Sequence, residues 1–90
     1  MRNKYALTLI IKPDLEEKVR QELLESVAKR FGKTEKEELW GNRDLSYPIN
    51  RRTKGYYAHY FFEAEPEKIA PLDKALKIDE DIIRYLLVRV

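Results

Sequence analysis

From Lys4 to Ile11 the chain alternates, with Tyr5, Leu7, Leu9 and Ile11 on one face and Ala6, Thr8 and Ile10 on the other. This period of two predicts a β-strand, and its second face is not polar. Pro13 ends it. Asp14-Leu15-Glu16-Glu17 then has the form of a capping box, with Asp14 as N-cap and Glu17 three residues on. Leu15, Val19, Leu23, Val27 and Phe31 follow at spacing four, flanked by Leu24 and Ala28. That spacing predicts a helix with one apolar stripe, and Gly32 is a suitable left-handed stop.

From Thr34 to Ile49 the pattern predicts a long, imperfect strand. Gly41 interrupts it, which implies a bulge or a change of twist, and Pro48 argues for a sheet edge. The run 50–55, Asn-Arg-Arg-Thr-Lys-Gly, is expected to form a polar hairpin loop before a third strand from Tyr56 to Ala64. Pro66 opens a second helix with Ile69, Leu72 and Leu76 as its stripe. Pro71 fits only if that helix begins late enough to hold Pro71 in its first turn, where the missing N–H has no partner to lose. Ile82 to Val90 is the last strand. The order βαββαβ predicts an α+β, ferredoxin-like sandwich: one domain over residues 1–90, with two helices on one face of a four-stranded antiparallel sheet.

Only one set of side chains per strand can meet the helices. Matching parity with Tyr5, Leu7 and Leu9 leaves Ile10, Tyr57, Phe61, Leu86 and Val88 on the open face. A contiguous apolar patch of this kind is expected to dock a partner. Trp40, beside Gly41, is expected to be a packing anchor. Glu35, Glu37 and Glu38 form a solvated edge, and Asp79-Glu80-Asp81 a solvated turn.

Composition narrows the function. Ninety residues that are 43% apolar bury one modest core, and no run is long enough to cross a bilayer. No apolar leader with a cleavage site opens the chain. The absence of cysteine removes disulfides, thiolate metal sites and a cysteine nucleophile, and suits a reducing cytoplasm. Eighteen Lys and Arg against 16 Asp and Glu leave a net charge of only +2. A protein that held nucleic acid alone through phosphates would carry more, so any nucleic-acid contact must be local or shared with a more basic partner. The basic candidates fall into two groups: Arg51, Arg52 and Lys54 on the hairpin loop, and Arg2, Lys4 and Arg89 at the chain ends.

Catalytic signals are missing. His59 is the single histidine and cannot build a transition-metal site with no second histidine or cysteine. No carboxylate pair, nucleophile motif or glycine-rich phosphate loop is present, so no enzyme, cofactor, metal or small-molecule substrate is expected.

The segment 41–50, Gly-Asn-Arg-Asp-Leu-Ser-Tyr-Pro-Ile-Asn, resembles the signature of the bacterial small-subunit ribosomal protein six family. That signature runs glycine, any residue, basic, polar, leucine, serine or alanine, tyrosine, any residue, isoleucine, polar, and every constrained position is met. The opening Met1-Arg2 with Tyr5 nearby, and Ile82-Ile83-Arg84 leading into the last strand, are also similar to the family. The resemblance covers nearly the whole chain. It implies the same βαββαβ fold, a place on the cytoplasmic ribosome, pairing with small-subunit ribosomal protein eighteen through the open face, and binding to small-subunit ribosomal RNA. It implies a basic contact at Arg2 and at Arg84, and places Tyr57 and His59 at the open-face aromatic positions of the third strand. Many family members carry a charged or flexible tail beyond the last strand, and the sequence to Val90 departs from the family's pattern there.

The alternative is a single-stranded RNA-binding module of the RNA-recognition type, since Lys54-Gly55-Tyr56 begins like its third-strand motif. The match then fails: Ala58 stands where a second stacking aromatic belongs, and Tyr57 where a small residue belongs. An acylphosphatase-like enzyme is weaker still, because Lys12-Pro13-Asp14 supplies no anion-binding loop with its arginine.

Overall fold

In the computed structural model, which describes the backbone of residues 2–30, 33–49 and 52–90, the alternating segment forms β1 (Asn3–Ile11). Leu7, Leu9 and Ile11 are wholly buried and Tyr5 nearly so. The remaining elements are α1 (Glu17–Ala28), β2 (Lys33–Ile49), β3 (Arg52–Ala64), a 3-10 turn at Pro66–Lys68, α2 (Ile69–Ile78) and β4 (Ile82–Arg89). The sheet order is β2-β3-β1-β4 and every neighbouring pair is antiparallel. This is the expected ferredoxin-like arrangement.

One apolar cluster holds the layers together. Tyr5, Leu7, Leu9 and Ile11 of β1 and Ala58, Tyr60, Phe62 and Ala64 of β3 meet Leu23, Leu24 and Val27 of α1 and Leu72 and Leu76 of α2. Both helices therefore lie on the same face of the sheet. Burying a leucine side chain contributes about 1.5–3 kcal/mol, so Leu7, Leu9, Leu72 and Leu76 are principal sources of stability.

Three expectations need correction. Residues 13–15 form a turn, so α1 begins two residues later than the capping box implied: its N-cap is Glu16, not Asp14, and makes no side-chain cap hydrogen bond. Asp14 and Leu15 precede the helix. Val19 is 39% exposed and lies off the buried stripe. A spacing of four overshoots a turn by about 40° each time, so a row from Leu15 to Val27 cannot stay on one side. The side of α1 that meets the sheet is instead Arg20, Leu23, Leu24 and Val27, and the Arg20 guanidinium lies 4.3 Å from the Tyr56 ring centroid. Phe31 and the stop at Gly32 lie outside the described residues.

The third correction concerns the hairpin. β3 begins at Arg52, so Thr53, Lys54 and Gly55 are strand residues, with Lys54 opposite Asp44 and Gly55 opposite Arg43. Gly55 is buried, and a Cβ there would run into the Cγ2 branch of Ile10. It is small so that β1 can lay a side chain over it, not to make a turn. Asn50 and Arg51 lie outside the described residues.

Gly41 does interrupt β2. It has φ +79°, and the β2–β3 register shifts between Leu39 and Gly41, so Trp40 is the extra residue of a bulge. β2 is an edge strand, as Pro48 implied. Pro71 is the third residue of α2, within its first turn.

Candidate partner and nucleic-acid interface

Across the face away from the helices, the register builds three rows. Ala6 lies between Phe61 and Val88, Thr8 between His59 and Leu86, and Ile10 between Tyr57 and Arg84. On β2, Lys36 stands beyond Phe61, Glu38 beyond His59 and Gly41 beyond Tyr57. Directly opposite residues of an antiparallel pair share a face, so the pattern assigns the whole surface. Tyr57, His59, Phe61, Leu86 and Val88 all lie on it, as parity predicted.

The bulge adds a residue that the parity argument omitted. Trp40 is 40% exposed and stands on this face rather than in the core. Its ring is parallel to both neighbours on β3, with centroids 6.1 Å from Tyr57 at 15° and 5.5 Å from His59 at 9°. His59 meets Phe61 edge-on at 4.7 Å, and its Nδ1 is 2.7 Å from Thr8 Oγ1. The histidine is thus fixed from both sides. The Arg43 guanidinium lies 5.5 Å from the Trp40 ring, a cation–π distance. Leu86 and Val88, 62% and 44% exposed, extend the apolar surface to β4. Lys36 and Glu38 form an ion pair of 4.0 Å at its rim. An aromatic block continued by aliphatic side chains and edged by charge has the make-up of a docking surface.

The basic residues separate by strand direction. Arg2, Lys4 and Arg89 gather at one end of the sheet, with Tyr5 opposite Arg89. Arg89 Nη2 donates to Asn3 Oδ1 at 3.3 Å, and Lys4 lies 4.0 Å from Glu35. Arg2 is close to Glu65, whose carboxyl is held below its usual range by a hydrogen bond with Glu67 and more weakly by Lys68 and Arg2. At the other end Arg43 and Lys54 line a shallow recess with Asn42 and Asp44. Arg84 is nearer this end, because β4 enters the sheet beside Ile11 and Ile10. Arg52 begins β3, and Arg51 lies outside the described residues. The two groups do not form one site.

On the helix side, Tyr85 of β4 is tied to α2. Its hydroxyl donates to Asp73 Oδ1, and Lys77 Nζ lies 3.2 Å from Asp73 Oδ2. The hydrogen bond from Tyr85, and then Lys77, hold the Asp73 carboxyl below its usual value; desolvation, and then Asp73, push Tyr85 up to about 12. Burial and the adjacent Glu37 carboxylate push Tyr60 up as well. Both tyrosines stay neutral, which suits structural roles. Among the described residues no group of three or more His, Cys, Asp and Glu side chains could hold a metal ion, and no helix is long and apolar enough to cross a membrane.

Comparison with known proteins agrees with this architecture. The family model described as ribosomal protein S6 matches residues 4–89. Small ribosomal subunit protein bS6 of Desulforamulus reducens is 39% identical over 93 residues, covering 99% of this chain and 97% of that protein. The bS6 protein of Alkaliphilus metalliredigens is 37% identical over 91 residues, covering 98% and 97%. The crystal structure of 30S ribosomal protein S6 from Thermotoga maritima superposes with a TM-score of 0.94 at 27% identity, covering all of this chain and 89% of that one. The chain belongs to the ribosomal protein S6 family, whose members are structural, non-enzymatic components of the ribosome.

Proposed function

We propose that this chain is a structural component of the small ribosomal subunit that pairs with small-subunit ribosomal protein eighteen through its open sheet face and meets small-subunit ribosomal RNA through basic residues at the sheet ends. The observation that carries the pairing is the continuous surface of Trp40, Tyr57, His59, Phe61, Leu86 and Val88, opposite the face that the helices cover. Exposed apolar surface of this kind is stabilised by a protein partner that removes it from water. The net charge of +2 supports shared RNA binding, since so small an excess releases few counterions alone.

Titration calorimetry with ribosomal protein eighteen, followed by titration of the pair and of each protein alone with small-subunit ribosomal RNA, tests this. Pairing without RNA, and tighter RNA binding by the pair than by either protein, is the expected result. Binding of polyuridine by this chain alone, unaffected by the second protein, would favour the RNA-recognition alternative.

A further inference from the structure

The chain has one histidine and one tryptophan, and the fold stacks them on each other in the middle of the open face. Histidine is the side chain whose ordinary titration falls between pH 5 and 8. The register names what surrounds His59 on this face. β1 supplies Thr8 beside it, with Ala6 and Ile10 in the adjoining rows, and none of these ionises in that range. β3 itself supplies Tyr57 and Phe61. β2 supplies Glu38 directly opposite, paired with Lys36, and Arg43 against the Trp40 ring. Across β1, β4 places Leu86 in the same row and Arg84 in the next.

Two contacts let the ring change its charge without changing its place. Thr8 Oγ1 lies 2.7 Å from Nδ1, and a hydroxyl can donate to the bare nitrogen of a neutral ring or accept from the N–H of a charged one. The Trp40 indole offers its π face, which packs on a neutral imidazole and attracts an imidazolium. In the free chain a proton on His59 is therefore accommodated. A covering partner changes the balance. It takes water away from the ring, and desolvation disfavours the charged form. Glu38, the carboxylate opposite, is shared with Lys36, while Arg43 and Arg84 oppose a further positive charge.

We propose that docking on the open face is coupled to release of a proton from His59, so that acidification weakens pairing with the protein partner. The coupling rests on the reading that the partner covers Trp40, Tyr57 and His59. Its sign follows from linkage. Docking favours the neutral ring, so affinity is lowest where the free ring is charged and is regained as pH rises through the titration of the free ring. Because Thr8 serves both forms, the surface keeps its shape, and the pH dependence is electrostatic rather than conformational.

Two measurements on the full chain test this. Trp40 is the sole tryptophan, and a charged imidazole in contact quenches indole emission, so fluorescence reports the ring with no partner present. Emission should fall reversibly on acidification between about pH 8 and 5, and in His59→Gln it should not. Calorimetric titration with ribosomal protein eighteen then reads the coupling. Affinity should drop about three- to tenfold between pH 7.5 and 5.5, a range that one released proton of an ordinary histidine allows. Buffers of different ionisation enthalpy should show more proton release by the native chain than by His59→Gln, and the shared partner cancels its own titration from the difference. Emission that is flat with pH, or pairing with the same pH dependence in the native chain and in His59→Gln, overturns the coupling and leaves the docking surface standing. Absence of pairing at either pH removes the docking reading and the coupling with it.

Discussion

The indole of Trp40 lies parallel to the imidazole of His59, with 5.5 Å between ring centroids and 9° between planes. The bulge that ends at Gly41 places it there, and Tyr57 continues the stack. Half-exposed rings held in this way are rigid and present large area at little entropic cost, which is how interface hot spots are built. Trp40→Ala and Tyr57→Ala should each weaken pairing with ribosomal protein eighteen by about 1–3 kcal/mol and leave the melting temperature nearly unchanged. Calorimetry and thermal denaturation on the same samples check this. A variant that melts early yet binds normally once folded would mean that the stack serves stability and not docking.

The faces of β1 and β3 were legible in the sequence because the pleat enforces a period of two, and Tyr5, Leu7 and Leu9 set the parity for their neighbours. Trp40 was not. On β2, Lys36, Glu38 and Trp40 share the open face before the bulge, whereas Gly41, Arg43 and Leu45 share it after. One extra residue switches the parity. A glycine announces a bulge but not which neighbour it turns outward. The start of α1 was misplaced for a related reason. Asp14 and Glu17 satisfy a capping pattern, but the turn at residues 13–15 takes up Asp14, and the helix begins only at Glu17 with Glu16 as its N-cap. Gly55 looked like a loop residue because the sequence does not reveal Ile10 lying above it.

The N-terminus of α1 is open to improvement. Glu16 has the extended backbone of an N-cap, φ −62° and ψ 147°, without a side-chain cap hydrogen bond. A shorter acceptor at this position reaches the N–H groups of the first turn. Glu16→Ser or Glu16→Asp should stabilise the fold by about 0.5–1 kcal/mol, measured by urea denaturation. Partner and RNA affinities should not change, because α1 lies on the opposite side of the sheet from the docking face.

The Tyr85–Asp73 hydrogen bond should shape the pH dependence of stability at both extremes. Asp73 is held below its ordinary value, so its contribution is present above that value and is lost as pH falls through the lower, folded one. Tyr85 is raised from 10.0 to about 12, so its contribution is complete below 10 and is lost as pH rises through 12. Tyr85→Phe should flatten the stability profile in both windows. It should be less stable than the native chain near neutrality, with the difference shrinking toward pH 12. A native-like alkaline loss in Tyr85→Phe would assign that loss to another group.

The separation of the basic groups governs how the protein can hold RNA. Lys4 stands opposite Glu63, and nine steps of β3 separate Glu63 from Lys54, roughly 30 Å at about 3.3 Å per step. A compact phosphate site cannot use both ends, so one end must dominate or a long RNA surface must be spanned with the partner. At the Arg2 end, Arg89 is held by the neutral Asn3 and keeps its charge available. Lys4 shares an exposed 4.0 Å ion pair with Glu35, of a kind that contributes little. At the hairpin end, Asp44 stands directly opposite Lys54 and offsets part of the charge there. Neutralising Arg2 and Arg89 together should therefore lower RNA affinity of the paired protein and flatten its dependence on salt by about one unit of logarithmic slope per lost phosphate contact. Neutralising Arg51 and Arg52 should do so more weakly. Filter binding between about 50 and 200 mM salt resolves slopes of this size. If the Arg2 and Arg89 double variant kept the native slope while the Arg51 and Arg52 variant lost it, the RNA would meet the hairpin end. Arg84, which enters the sheet beside Ile10, would then belong to that contact and not to the Arg2 end.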